Sequence, residues 1–341
     1  MKRRLAAAMV TMVLLLTGCM DRSGQLPPEY TPAAEDCLVV YTSHKEEVWW
    51  PIVKEFEERT GIWVDVVTGG TNELLQRIAQ EGDAPGADVM FGGGVENLEA
   101  YSQYFEPYTC AGAEKIQKRF CSPEALWTPF SALPVVLIYN TKLVEPEWLT
   151  KWSDLLEDRF RGKIAFSDPG ISGSSFTGLV TLLYALGGEP DDVMREFAAN
   201  LEGIQLDSSG DVLTCVAGGT DWVGITLEES ALKQIAAGKD IAMVYPTDGT
   251  SLVPDGSALV KSAAHRDNAQ VFLDFTVSRD VQQLLPDQFY RRSVREDVAP
   301  GGELIALEEI PMVDYNISWA SENRDRLLMT WAFYLGGEAV P

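Results

Sequence analysis

The chain has 341 residues, with 51 Asp and Glu against 27 Lys and Arg and a formal charge of −24. That balance argues against nucleic-acid binding and against a polybasic membrane surface, since both need a basic face. An acidic exterior is a solubility device and does not imply a cationic ligand. Two histidines leave little general-base capacity, and no G-x-S-x-G, P-loop or H-E-x-x-H pattern is present, so a secreted hydrolase is a weak alternative.

The N-terminus carries Lys2, Arg3 and Arg4 ahead of an apolar run over residues 5–16. The run is too short to span a bilayer and reads as a signal-peptide core. It ends in Leu16-Thr17-Gly18-Cys19, small residues before a cysteine, as in a bacterial lipobox. On that reading residues 1–18 are cleaved and the Cys19 thiol is acylated. Its acyl chains then anchor the protein, each buried methylene contributing about 0.8 kcal/mol. A plain signal peptide with an incidental cysteine is the alternative. Residues 19–36 are polar, with Gly24, Pro27, Pro28 and Pro32, and read as a tether. About 300 residues remain for the folded part, a length that suggests two lobes rather than one core.

Residues 38–41 form a short apolar strand ending in Thr42-Ser43-His44. Helical spacing over 47–60 places Trp49, Ile52, Val53 and Phe56 on one face, with Gly61 at the cap. A strand over 62–67 leads into Thr68-Gly69-Gly70-Thr71 and a helix from Asn72. A third strand over 87–91 ends in Gly92-Gly93-Gly94. Strand, helix, strand, helix, strand predicts a parallel sheet, whose ligands sit beyond the carboxyl ends of the strands. Cys110 and Cys121 flank a short excursion and are expected to pair; Cys37 with Cys215 has no local support. No Cys/His cluster suggests zinc, and no cofactor is expected.

Further along, residues 131–139 are apolar and Pro-containing, and 163–166 read as a strand. Ser172-Gly173-Ser174-Ser175 then runs straight into a helix over 176–186. Strands follow at 223–226 and 241–245, with helices at 228–237 and 268–277.

The chain resembles the family 1 extracellular solute-binding proteins, in the branch that holds ferric-iron, phosphonate and sugar-phosphate binders. The resemblance rests on Val40-Tyr41-Thr42-Ser43-His44, Phe56-Glu57-Glu58-Arg59-Thr60-Gly61-Ile62 and Thr68-Gly69-Gly70-Thr71-Asn72-Glu73-Leu74-Leu75. It continues through Ala87-Asp88-Val89, Ser172-Gly173-Ser174-Ser175, Tyr245-Pro246-Thr247-Asp248-Gly249-Thr250, Asn268-Ala269 and Phe272-Leu273-Asp274-Phe275. It implies an α/β, two-lobed periplasmic-binding fold of the second topological type. Each lobe is then a mixed, mainly parallel sheet flanked by helices, and two hinge strands join them, near 129–136 and 245–255. Lobe one is expected over 37–128 with a return segment at about 250–290, lobe two over 131–243, and C-terminal helices over 290–341 packing across both. The resemblance further implies a monomeric, lipid-anchored, extracytoplasmic protein with no enzymatic activity. Its role is to deliver a solute to the permease subunits of an ABC importer.

For the solute, three classes stay open. The iron binders of the family carry a tyrosine pair that this chain lacks between Gly210 and Gly224. Hard Fe(III) needs anionic oxygen ligands, which are scarce at these strand ends, although His44 falls near a position where some iron binders carry a histidine. A polyamine would use acids and aromatics, and the nine tryptophans keep it open. An anion is favoured by the helix starts at Thr71-Asn72 and Ser172-Gly173-Ser174-Ser175, which present unpaired N–H groups and a partial positive charge. Ser43, His44 and Gly93 join them as candidate ligand-binding residues. Glu228 and Asp248 could accept from ligand hydroxyls, or serve as a first-turn acid and a turn residue. Tyr245 could stack on an organic ligand, or pack in the core. Any of the serines could be a plain N-cap.

Overall fold

The computed structural model describes residues 32–302 and 304–336. The signal peptide, the Cys19 lipobox and most of the tether lie outside the described residues. From Glu35 onward the described residues form one compact unit.

Strands β1 (Cys37–Thr42), β2 (Trp63–Thr68) and β3 (Val89–Gly94) stand in the order β2-β1-β3 and pair in parallel, as the alternation predicted. Helix α1 (Glu46–Thr60) buries Val48, Ile52, Val53 and Phe56. Gly61 closes it in the left-handed region, φ 77°, with its N–H on the Glu57 carbonyl. Helix α2 (Thr71–Glu81) follows β2, and the short α3 (Val95–Ala100) follows β3 directly. The third strand runs on to Gly94 rather than stopping at Phe91. Gly92 and Gly93 take φ of 109° and 99°, a conformation that glycine reaches without steric cost.

The two-residue β4 (Phe105–Glu106) edges β9 (Leu252–Val260), which pairs antiparallel with β3. The central element is β5 (Thr128–Asn140), buried along its whole length. Its residues Thr128 to Pro134 pair with β9. Its residues Val135 to Asn140 pair instead with β7 (Val223–Leu227) and β8 (Ile241–Val244). Pro129, which has no N–H for the ladder, sits at a register shift. Beyond β7 lies β6 (Ile164–Ala165), and β10 (Arg292–Ser293) pairs with the first half of β5.

Helices α4 (Gly173–Leu186), α5 (Pro190–Leu201), α6 (Ser209–Gly218) and α7 (Glu228–Ala236) cover the β6-β7-β8 half. Helices α8 (Arg266–Thr276) and α9 (Arg279–Gln288) cover the other. The long α10 (Ile317–Tyr334) packs on both α3 and α5, with Trp331 buried against Phe166 and Phe197. Separate apolar cores lie under the two halves, one around Trp152, Phe166 and Phe176, another around Phe56, Phe91 and Phe272. The molecule is thus α/β with a curled, mixed sheet, as a two-lobed periplasmic-binding fold requires.

The expected Cys110–Cys121 disulfide is absent: Cys110 and Cys121 are both thiols. Cys110 is turned inward, where its sulfur meets the Thr128 hydroxyl at 3.2 Å, whereas Cys121 is exposed with its sulfur on the Gln117 carbonyl at 3.7 Å. Spacing in sequence did not reveal that the two thiols take different neighbours.

Candidate functional site

A cavity of about 280 Å³ lies where the carboxyl ends of β1, β2 and β3 face the start of α4. Ser43, His44, Gly70, Thr71, Gly93 and Gly94 line one wall. Ile171, Ser172, Gly173, Ser174 and Thr177 line the other. Seven sequence candidates therefore come together here: Ser43, His44, Thr71, Gly93, Ser172, Gly173 and Ser174.

Three helices of ten residues or more begin at this cavity. Their N-caps are Gly70 for α2, Ser172 for α4 and Ser208 for α6. Ser172 accepts from the Ser175 N–H at 3.4 Å, and Ser208 from the Asp211 N–H at 3.2 Å. Each helix start leaves up to four N–H groups without an intrahelical partner and carries roughly half a positive charge. Three such ends around one small space favour an anion strongly.

Close approach is built in. A Cβ on Gly93 would stand 2.5 Å from Thr71 Cγ2, and one on Gly173 would stand 3.0 Å from Thr71 Oγ1. Thr71 is thus wedged between two glycines, one from each wall. Asn72 turns away from the cavity and ties the walls. Its Nδ2 donates to the Pro169 and Gly170 carbonyls at 3.2 and 3.0 Å. Ser175 also turns inward, bonded to the Ser167 hydroxyl.

The floor is a charge network that the sequence reading missed. Arg291 donates to Asp255 at 2.7 Å, pairs with Glu229 at 3.4 Å and reaches the Ser131 hydroxyl at 3.1 Å. Lys233 bridges Glu229 and Glu47, both at 3.0 Å. His44 is packed edge-on against Phe91, with ring centroids 4.4 Å apart. Burial, reinforced by the nearby Arg291 and Lys233 charges, pushes its pKa well below the ordinary histidine range. His44 is therefore a neutral imidazole at physiological pH. Asp207, Ser208 and Ser209 also line the cavity, together with the apolar Leu133, Leu227 and Val253. The Ser208-Ser209-Gly210-Asp211 pattern could have marked that helix start. Nothing local marks Arg291 or Asp255.

Besides Asn72 and Ser175, three further sequence candidates are not at the cavity. Glu228 holds Arg292 by bonds of 2.8 and 2.7 Å and accepts from the Tyr245 hydroxyl. Asp248 accepts from the Trp152 N–H at 3.1 Å at the start of a short 3₁₀ turn. Glu228, Tyr245 and Asp248 thus have protein partners in place of an open face. Among the described residues no group of three His, Cys, Asp or Glu side chains is arranged to hold a metal ion.

A family model described as "Bacterial extracellular solute-binding protein" matches residues 83–315. Iron uptake protein A1 of Synechocystis is 27% identical over 297 residues, covering 82% of this chain and 81% of that protein. A putative 2-aminoethylphosphonate-binding periplasmic protein of Salmonella typhimurium is 24% identical over 290 residues, covering 79% and 82%. Among solved structures, the periplasmic binding protein AfuA of Actinobacillus pleuropneumoniae, with fructose-6-phosphate bound, superposes with a TM-score of 0.81. It is 23% identical and covers 87% of this chain and 98% of that one. Sheet order, a cavity at the strand ends and the span of the family match all agree: this chain belongs to the bacterial extracellular solute-binding proteins.

Proposed function

We propose that the protein is the lipid-anchored receptor of an ABC importer and that its solute is a small molecule bearing a phosphoryl or phosphonate group. One observation carries the choice of solute: the starts of α2, α4 and α6 meet at one cavity. Their N–H groups and the Ser43, Thr71, Ser172 and Ser174 hydroxyls are uncharged donors suited to phosphoryl oxygens. Relatives and neighbours named for 2-aminoethylphosphonate and fructose-6-phosphate point the same way. The relatives named for iron keep a ferric reading as the alternative. Iron would need anionic oxygen ligands, and the carboxylates nearest the floor are already paired with Arg291. In operation, the walls close about the solute along the crossings of β5 and the β8–β9 segment, and the closed form docks on the permease. Cys19 acylation holds the receptor at the membrane.

The test is thermal melting of the intact chain with fructose-6-phosphate, 2-aminoethylphosphonate, inorganic phosphate, spermidine and ferric citrate. A solute at 100 times its Kd stabilises by about 2.7 kcal/mol. Stabilisation by a phosphorylated or phosphonate compound supports the reading; stabilisation by ferric iron or spermidine alone overturns it.

A further inference from the structure

Glu96 is a carboxyl group in the wall of the cavity for which solute binding supplies no obvious task. It lies in α3, fully buried, two residues past the cavity-lining Gly94. Its Oε1 is hydrogen-bonded to the hydroxyl of Thr177, which lines the opposite wall. The same hydroxyl stands 3.1 Å from the carbonyl of Gly173, the first residue of α4. A threonine hydroxyl has one hydrogen to give. With Glu96 ionised, that hydrogen is drawn to the carboxylate and the bond to Gly173 is lost. With Glu96 neutral, its own O–H donates to Thr177, and Thr177 donates to Gly173, so both bonds form.

The surroundings favour the neutral form. Glu96 Oε2 is buried without a hydrogen-bond partner, which is costly for an anion and tolerable for an acid. The cation facing it is Arg324 of α10, whose Nε is held by Asn97 at 3.2 Å and whose Nη1 is held by Asp325 at 3.0 Å. Tyr315, half-buried, and Tyr184 stacked against it are the other titratable groups nearby, and the Tyr315 hydroxyl, like Thr177 and Arg324, opposes the rise in the Glu96 pKa. Helix α2 contributes Leu74 and Leu75 to the same core cluster, and Asp255 of β9 is engaged by Arg291 and Ser131. Burial lifts the Glu96 pKa to about 7, against the opposing pull of Thr177 and Arg324.

We propose that Glu96 is a positioning residue that meets Thr177 of the opposite wall as a neutral acid, the form in which Thr177 also keeps its bond to Gly173, so that solute capture takes up one proton at this carboxyl. The inference rests on reading the cavity as the solute site and on its walls parting when empty. Parting exposes Glu96 to water and returns it to the ordinary carboxyl range, about 4.3. Below that range both forms are protonated and affinity is flat. As pH rises from there towards 7, the open form has lost its proton and the closed form has not, so affinity falls. Above 7 both are ionised and the profile flattens again.

The experiment is titration calorimetry of the intact chain with fructose-6-phosphate from pH 5 to 8, for wild type, Glu96→Gln and Thr177→Val. The solute's own phosphate titrates in this range and cancels in the comparison. Between pH 5 and 7.5 the wild-type Kd is expected to weaken roughly tenfold or more beyond the change in Glu96→Gln. Binding at pH 6 in buffers of different ionisation heat should show about one proton fewer taken up in Glu96→Gln than in wild type. Identical pH profiles would overturn the proposal. Melting in saturating fructose-6-phosphate gives a second readout: the closed wild type should lose stability relative to Glu96→Gln as pH rises from 5 to 7.5, and parallel curves reject the proton site. If ferric citrate binds and no phosphorylated compound does, the phosphate reading falls, and the same comparison run with ferric citrate decides the linkage.

Discussion

The Oγ1 of Thr71 stands 3.0 Å from the point where a Cβ on Gly173 would be. One atom of tolerance therefore separates the start of α2 from the start of α4. The spacing of the two anion-attracting helix ends is set by a missing side chain.

Gly173→Ala should act on binding before stability. Gly173 has ordinary helical geometry, so alanine is not strained there, and the added methyl must push Thr71 and the first wall back by a few tenths of an ångström. We expect Kd for the phosphorylated solute to rise by about tenfold, roughly 1.4 kcal/mol, with little change in melting temperature. Calorimetry and melting on the same sample separate the two. An unchanged Kd would mean that the walls do not need this proximity.

Gly93→Ala should instead unfold the protein more readily. It combines φ of 99° with a contact of 2.5 Å to Thr71, so strain and overpacking add. A loss of about 2–4 kcal/mol in urea denaturation is expected.

Glu228 and Asp248 should prove structural. Arg292→Ala leaves the Glu228 carboxylate buried and unpaired, costing about 3–5 kcal/mol. Asp248→Ala removes the acceptor of the Trp152 N–H and should cost about 1–2 kcal/mol. Neither side chain touches the cavity, so Kd measured on the folded fraction should not move. A large Kd change in Asp248→Ala at constant stability would return it to the ligand.

His44 should give the chain a pH dependence opposite in sign to that of Glu96. Its pKa is depressed on folding, by burial first and then by Arg291 and Lys233. The unfolded chain takes up a proton near 6.5 while the folded chain does not, so stability present above that pH is lost as pH falls through it. Relative to wild type, His44→Gln should therefore lose this dependence below pH 6.5, read from urea midpoints at pH 5, 6 and 7.5. Equal midpoints shifts in both proteins would show that His44 protonates freely in the folded state.

The alternation of strands and helices, and the cap at Gly61, were legible because they rest on local spacing. So was much of the cavity lining: Thr71, Gly93, Ser172, Gly173 and Ser174 stand at strand ends and helix starts, where glycines and hydroxyl residues are conspicuous. Arg291 and Asp255 were not, because an arginine near the C-terminus meets an aspartate on β9 only through the return of the chain, and no periodicity encodes that meeting. Between the two roles open to Glu228 the sequence could not choose, for the reciprocal reason. A first-turn acid looks available in sequence, and its neutralising Arg292 lies 64 residues away. The cysteine pair is not bridged although Cys110 and Cys121 line one pocket, because each sulfur is turned to a partner of its own, the Thr128 hydroxyl and the Gln117 carbonyl.

Strand β5 spends its first seven residues in one ladder and its last six in another. Cutting the gene at either end of it would strand half of a fully buried segment without its hydrogen-bond partners. Neither half of the folded part is therefore a separable module. Heating should melt both in a single cooperative transition, and exchange of whole halves between relatives would have to carry this strand's two sets of partners together.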